Sequence, residues 1–287
     1  MMKNIKTINL WEGKFPTQSG LTGHQISDPD GVLELTNVTE TELIIYSPDS
    51  SLNTGIATVI CPGGAYAGLA ITSQGHDFAI WLSSIGITGI VLKYRMPNGN
   101  KEIPLDDLQK AISYVRGNAA SLGINENKIG VTGFSAGGHL AALASTLFSE
   151  VGLSNRPDFS ILFYPVISMG RQTQSDTRKN LLGDNPSPET IEKYSCESQV
   201  LPNTPATLIL VSDDDTVVNP VNSTLYYQAL KQYDIPAALH VFPQGDHAWG
   251  IKGVNMFGGK FDYTEEMKSL IIRWIMRFAT EYTCAVN

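Results

Sequence analysis

The stretch Lys128-Ile-Gly-Val-Thr-Gly-Phe-Ser-Ala-Gly-Gly-His139 constrains this chain more than any other, because a short β-branched run ends in Gly-x-Ser-x-Gly and passes straight into an Ala/Leu-rich helical segment. A strand feeding a helix through so sharp a turn strains the serine backbone and exposes its hydroxyl, and small flanking residues let neighbouring backbone come close. Gly133 and Gly137 supply that room, which makes Ser135 a candidate nucleophile. The same five-residue pattern occurs at ordinary glycine-punctuated strand–helix junctions. Catalysis therefore requires the rest of the chain to supply a base, an acid and an oxyanion site in a workable order.

Strands and helices alternate on both sides of this stretch. β-Branched and apolar runs predict strands over residues 41–46, 55–61, 88–93, 128–132, 159–164, 206–211 and 237–242. Helical spacing of apolar residues predicts helices over residues 74–85, 105–122, 220–233 and 264–280, besides the one that follows Ser135. Such alternation implies an α/β protein with a mostly parallel sheet and helices on both faces. Residues 1–40 read as an irregular arm with room for one strand, and residues 41–287 as one domain. The rhythm stops over residues 167–204, a polar stretch containing Asn185-Pro-Ser-Pro188. An insertion at that place starts at a strand's carboxyl end, where ligands bind in such sheets, so a small cap over the site is expected in preference to a plain surface loop.

Composition removes other classes. A hydrophobic content of 42% and a mean hydropathy of −0.05 describe a chain able to bury a large core. A net charge of −8 without a Lys/Arg cluster argues against a nucleic-acid partner, whose affinity needs concentrated positive charge. No apolar run approaches the roughly 20 residues of a membrane span, so no membrane partner is expected. Cys61, Cys196 and Cys284 are odd in number and far apart, which is neither a disulfide framework nor a zinc site, and they are expected to be reduced. Without a signal-like apolar segment the chain as given reads as cytoplasmic; a removed export signal would make it periplasmic or secreted. A monomer or small homo-oligomer is expected, with no metal and no cofactor.

Of the five histidines, His24 lies in the arm, His76 begins a helix, His240 sits in a strand, and His139 is placed to support the turn. His247 alone combines a loop after a strand, Gly245-Asp-His-Ala-Trp-Gly250, with a position beyond every candidate acid. The acid comes from Val211-Ser-Asp-Asp-Asp-Thr-Val-Val218, in which adjacent carboxylates repel and only one is expected to face the site. Asp215 fits best and Asp214 is the alternative. The order Ser135, Asp215, His247 is that of α/β-hydrolases. Acyl transfer also needs donors for the developing oxyanion. The amides of Gly64 and Ala65, in the loop after the strand at 55–61, and of Ala136 are the natural set. Tyr66 and Trp249 neighbour these residues and are candidate substrate contacts, with core packing as the alternative.

These residues together resemble the α/β-hydrolase serine esterases related to bacterial acetyl xylan esterases and feruloyl esterases. The matching pieces are Cys61-Pro-Gly-Gly-Ala-Tyr66, Leu92-Lys-Tyr-Arg95, the Ser135 stretch, Asn180-Leu-Leu-Gly183, Asp214-Asp-Thr-Val-Val218 and Gly245-Asp-His-Ala-Trp249. Cys61-Pro62 stands where lipase-like loops open with His-Gly, and Ala65 where they have a third Gly; backbone amides still donate there, so the departure bears on acyl-pocket size. The resemblance implies an α/β-hydrolase fold and a carboxylesterase acting on a small-molecule or oligosaccharide ester, most plausibly deacetylating xylan or xylo-oligosaccharides. An amidase, formamidase or peptidase on the same triad is the alternative, and a non-catalytic hydrolase-fold binding protein a second.

Overall fold

The computed structural model describes residues 5–12, 14–170 and 173–279. Met1, Met2, Cys284 and the expected helix end at Thr280 lie outside them. The chain opens with the edge strand β1 (Ile5–Asn9), two short strands β2 (Ile26–Ser27) and β3 (Leu35–Thr36), and then β4 (Glu42–Tyr46) and β5 (Ala57–Cys61). β6 (Gly68–Leu69), α1 (Asp77–Ser84), β7 (Thr88–Lys93) and α2 (Ile103–Gly117) follow, then β8 (Ile129–Phe134), α3 (Ala136–Thr146) and β9 (Phe159–Phe163). After β9 come α4 (Ser175–Leu182) and α5 (Pro188–Tyr194), then β10 (Ala206–Ser212), α6 (Val221–Gln232), β11 (Ala237–Phe242) and α7 (Thr264–Ile275).

Eight strands form one sheet in the order β1-β4-β7-β5-β8-β9-β10-β11. β4 runs antiparallel to both its neighbours, and every pair from β7 to β11 is parallel. Strands β5, β7, β8 and β9 are buried at every residue, as continuous β-branched and aromatic runs require when helices cover both faces of a sheet. The chain steps from β5 through α1 out to β7, then crosses back past β5 to β8. Right-handed crossovers in opposite directions put α1 on one face and α2, with α3 packed beside it, on the other. The loops after β5 and β8 therefore diverge and leave a crevice at the strands' carboxyl ends.

Three departures from the sequence expectations have physical causes. The helix expected over 105–122 ends at Gly117, where the Asn118 side chain donates to the Tyr114 carbonyl, and a separate 3₁₀ turn, Ala120–Leu122, follows. The helix expected over 74–85 starts as a π-helical turn, Thr72–His76. Within 167–204, α4 and α5 form although apolar periodicity is weak. Gln174 and Ser187 cap them by accepting from the amides of Thr177 and Thr190, and only Thr177, Leu181, Leu182 and Tyr194 need burial.

The arm is more ordered than its sequence suggests. β1 joins the main sheet, and β3 pairs with both β2 and β6 in a small antiparallel sheet. Arg95 pins the arm to the core. Its guanidinium is bidentate on Asp107, donates to the Thr17 carbonyl at 2.7 Å and lies 4.3 Å over the Phe15 ring. Trp11 donates to the same carboxylate at 2.7 Å. A charge pair this deeply buried holds only because almost every donor and lone pair in it is matched.

Candidate active site

Ser135 sits at φ 53° and ψ −118° between β8 and α3, a conformation that costs a non-glycine residue on the order of 1–2 kcal/mol. Bare α-carbons on both sides make the turn possible. A Cβ on Gly133 would lie 2.1 Å from the Gly137 carbonyl oxygen, and one on Gly137 would lie 2.1 Å from the carbonyl oxygen of Cys61 on β5. The Ser135 amide donates to the Phe163 carbonyl on β9, so the neighbouring strand also fixes the turn.

The structure brings Ser135, His247 and Asp215 into one hydrogen-bonded chain. His247 Nε2 lies 2.9 Å from Ser135 Oγ, and its Nδ1 lies 2.7 Å from Asp215 Oδ2. The carboxylate can only accept, so the proton sits on Nδ1 and Nε2 is left free to accept from the serine. The side chains of Asp215 and His247 are 0% and 3% exposed. Asp215 Oδ1 accepts from the amides of Val217 and Val218, which locks the carboxylate. Asp214 holds the base loop instead, accepting from the amides of Gly245 and Asp246. Asp246 answers by accepting from the amide and hydroxyl of Thr216. This reciprocal clamp between the loops after β10 and β11 gives Asp214 a role separate from that of Asp215. Tyr164 packs edge-on against His247 at 4.7 Å and donates to the Trp249 carbonyl.

The loop after β5 is built to present amides. Gly64, Ala65 and Tyr66 have φ of 138°, 50° and 57°. The Gly63 amide is already used, donating to Gln74 Oε1 at 2.6 Å. Among the described residues, the amides of Gly64, Ala65 and Ala136 have no protein acceptor. Ala136 opens α3, where amides are unpaired by construction of the helix and the dipole favours negative charge. Gln74 carries no sequence signature of this role, since it is one polar residue at the start of a helix.

A cavity of about 400 Å³ lies over Ser135 and His247, with Gly64 and Ala65 in its wall. Its other walls include arm residues 30–34, the loop around residues 250–256, Ser73, Gln74 and Asp77 at the start of α1, and Gln174 with Thr177 at the start of α4. The arm and the 250–256 loop were not singled out from sequence, because neither has a period or motif. Tyr66 and Trp249, expected to touch substrate, do not reach this cavity. Both are buried. Tyr66 binds His139 through its hydroxyl, and Trp249 stacks on Phe261 at 4.0 Å and donates to Ser212 Oγ. Trp249, with ring and polar atom both satisfied in the core, has no face left for a ligand, whereas Tyr66 lines a separate cavity beside Asn98 and Asn180, away from Ser135.

The His139 side chain, expected to support the turn, instead ties the loop after β5 to α3 and α5. Its Nε2 faces the Tyr194 carbonyl, which can only accept, so Nδ1 accepts from the Tyr66 hydroxyl. Burial, partly opposed by the Tyr194 bond, pushes its pKa down to about 4, and the imidazole stays neutral. Cys61 and Cys196 are buried free thiols, and burial pushes both thiol pKa values up. Among the described residues no cluster of three or more His, Cys, Asp or Glu is arranged to hold a metal ion, and no helix is long and apolar enough to cross a membrane.

The strand order, with a serine, a histidine and an aspartate joined at the carboxyl edge of the sheet, defines the class as an α/β-hydrolase. The chain belongs to the BD-FAE family, whose profile matches residues 43–230. It is 35% identical over 249 residues to an acetylxylan esterase of Xylanibacter ruminicola, covering 85% of this chain and 49% of that protein. It is 34% identical over 227 residues to endo-1,4-beta-xylanase B of Butyrivibrio fibrisolvens, covering 74% of this chain and 36% of that protein. The chain thus spans half or less of these two relatives. The crystal structure of an acetyl ester-xyloside bifunctional hydrolase from Caldicellulosiruptor lactoaceticus matches with a TM-score of 0.80 and 34% identity, covering 95% of this chain and 96% of that one.

Proposed function

We propose that the chain is a serine carboxylic-ester hydrolase that removes acetyl groups from acetylated xylan or xylo-oligosaccharides. The observation that carries this is the chain from Ser135 Oγ through His247 to Asp215, with bonds of 2.9 and 2.7 Å. Ser135 attacks the ester carbonyl while His247 Nε2 takes its proton, and Asp215 stabilises the imidazolium that forms. The amides of Gly64, Ala65 and Ala136 receive the oxyanion, each worth about 3 kcal/mol in a water-poor site. His247 then protonates the leaving alcohol, and water activated by the same imidazole releases acetate from the acyl-enzyme.

The substrate class is supported by the names of the relatives, two of which refer to acetylxylan or to acetyl ester and xyloside. It is also supported by the cavity, whose 400 Å³ falls in the range of pockets that bury a whole small ligand, roughly 300–1,000 Å³, and exceeds what a two-carbon acyl group needs. The remaining space suits part of the sugar. Ser135→Ala is expected to lower acetate release from acetylated xylo-oligosaccharides by about 10⁴-fold or more with an unchanged melting temperature. Retained activity in the folded variant would remove Ser135 from the mechanism. A panel of acetylated xylo-oligosaccharides, aryl acetates, feruloyl esters and aminoacyl amides tests the substrate; higher kcat/KM on feruloyl esters or amides would overturn deacetylation as the main activity.

A further inference from the structure

We propose that Asn180, on α4 of the insertion, is a positioning residue for ester hydrolysis, holding the Ala65 carbonyl so that the loop's amides stay aimed at the oxyanion. The proposal rests on Ser135 as nucleophile and on Gly64 and Ala65 as donors.

In a trans peptide the carbonyl and the following N–H point in opposite directions. A partner that takes a carbonyl therefore aims the next amide. Along this loop every carbonyl from 62 to 65 is taken. Pro62 O accepts from the Tyr94 hydroxyl at 2.8 Å. Gly63 O accepts from the Ala70 amide, and Gly64 O from the amides of Ala67 and Gly68. Ala65 O accepts from Asn180 Nδ2 at 2.8 Å. Ala67, Gly68 and Ala70 belong to the loop itself or follow it directly and Tyr94 directly follows β7, whereas Asn180 reaches in from 115 residues away.

The Ala65 bond matters because of backbone conformation. Ala65 at φ 50° and Tyr66 at φ 57° lie where a residue with a Cβ is disfavoured, so an unrestrained plane rotates towards negative φ. Gly64 O fixes the peptide before the Ala65 α-carbon and Asn180 fixes the one after it. The first aims the Ala65 amide and the second holds the far side of the same α-carbon, so that Ala65 cannot relax out of φ 50° and carry its amide off the oxyanion. The Tyr66 side chain is tied separately, to His139 on α3, which leaves the Ala65–Tyr66 peptide as the joint that Asn180 closes.

Asn180 is itself held rigidly. The Gly99 amide donates to its carbonyl, Leu181 and Leu182 beside it are buried, and Gln174 caps the helix. The residue is only half-buried.

The experiment compares Asn180→Ala and Asn180→Asp with Ser135→Ala and wild type, measuring kcat and KM on an aryl acetate, Ki for a phenylboronic acid as tetrahedral analogue, and melting temperature. The aspartate variant is close to isosteric but cannot donate. For both Asn180 variants kcat is expected to fall by about 10- to 100-fold, short of losing all donors, with KM within about twofold. Boronate Ki should rise by a similar factor, because only the tetrahedral state uses the oxyanion donors. Folded Asn180 variants with wild-type kcat and Ki, beside an inactive Ser135→Ala, would overturn this inference alone. So would a rise in KM only, or a loss of kcat that follows a lower melting temperature with the Ki to KM ratio unchanged. Activity surviving in Ser135→Ala would overturn the nucleophile and this inference together.

Discussion

The turn after β8 and the loop after β5 lie side by side, and distant side chains hold only the second through its backbone. Both leave fully buried parallel strands, and both carry non-glycine residues at positive φ, Ser135 in one and Ala65 and Tyr66 in the other. The Ser135 turn is held by closeness. Gly133 touches Gly137, Gly137 touches the end of β5, and the strain at Ser135 is trapped between packed backbones. The loop at 63–66 is held by reach. Gln74 and Asn180 each take one of its backbone atoms, Tyr94 takes the Pro62 carbonyl just before it, and His139 takes the Tyr66 hydroxyl. Both depend on missing side chains, since a Cβ on Gly63 would lie 2.7 Å from the Phe134 carbonyl oxygen and one on Gly64 2.1 Å from that of Gly68, but the loop depends as well on several side chains that are present.

That difference is broken most forcefully at Gly137. A methyl group there would lie 2.1 Å from the Cys61 carbonyl oxygen and 2.5 Å from that of Pro62. Backbone at the end of a buried strand cannot move aside as a side chain would. Gly137→Ala is expected to cost about 3 kcal/mol or more of stability and to abolish esterase activity, as α3 and Ser135 are pushed off β5. Urea unfolding and an aryl acetate assay check both. A stable and active Gly137→Ala would show that the turn is not held by this contact.

The same contrast explains what was legible in the sequence. The Ser135 turn was readable because its determinants lie within five consecutive residues. The strands at 88–93 and 237–242 were placed to the residue, the first because a buried parallel strand is a bounded β-branched run, the second, a half-exposed edge strand, because it lies between Pro236 and Pro243. Asp215 stood out from its neighbours because Val217 and Val218, whose amides hold it, follow directly in the chain. Gln74 and Asn180 were not assigned roles, since their partners lie 11 and 115 residues away and no spacing rule connects them. Asn180 did lie in a stretch shared with related esterases, a signal without a chemistry attached. For Tyr66 and Trp249 the structure shows the alternative of core packing, because proximity in sequence to a site residue says nothing about which way a loop turns its rings. The pocket walls at 30–34 and 250–256 are irregular loops, where packing against distant segments replaces local propensity.

His139 links the two regions and should report on them through pH. Its folded pKa, about 4, lies below the roughly 6.5 of an unfolded histidine. Above pH 6.5 both states are neutral and the difference contributes nothing. Between pH 6.5 and 4 the unfolded state binds a proton that the folded state refuses, so stability falls as pH falls, by on the order of 3 kcal/mol in total. His139→Gln can keep a donor towards Tyr194 and an acceptor towards Tyr66 without titrating. Its unfolding free energy, measured in urea from pH 7 to pH 4, is expected to decline less steeply than that of the wild type over this window. Parallel curves would mean that His139 is protonated in the folded protein.

The smallest expected effect sharpens the comparison most, because it removes one atom's function from the loop while leaving shape alone. Gln74→Met keeps an unbranched side chain of similar volume in a buried position but deletes the acceptor for the Gly63 amide. A buried amide left without a partner costs about 1–3 kcal/mol. The Gly63 plane would then turn to find water or another acceptor, and Gly64, the next donor in the chain, would turn with it. Stability is expected to fall by about 2 kcal/mol and kcat by about tenfold, less than the 10²–10³ of a lost oxyanion donor, with Ser135 still labelled by a fluorophosphonate. If the labelling rate collapses along with kcat, Gln74 supports the nucleophile as well as the loop, and the two regions share a support that the separate holds just described do not allow.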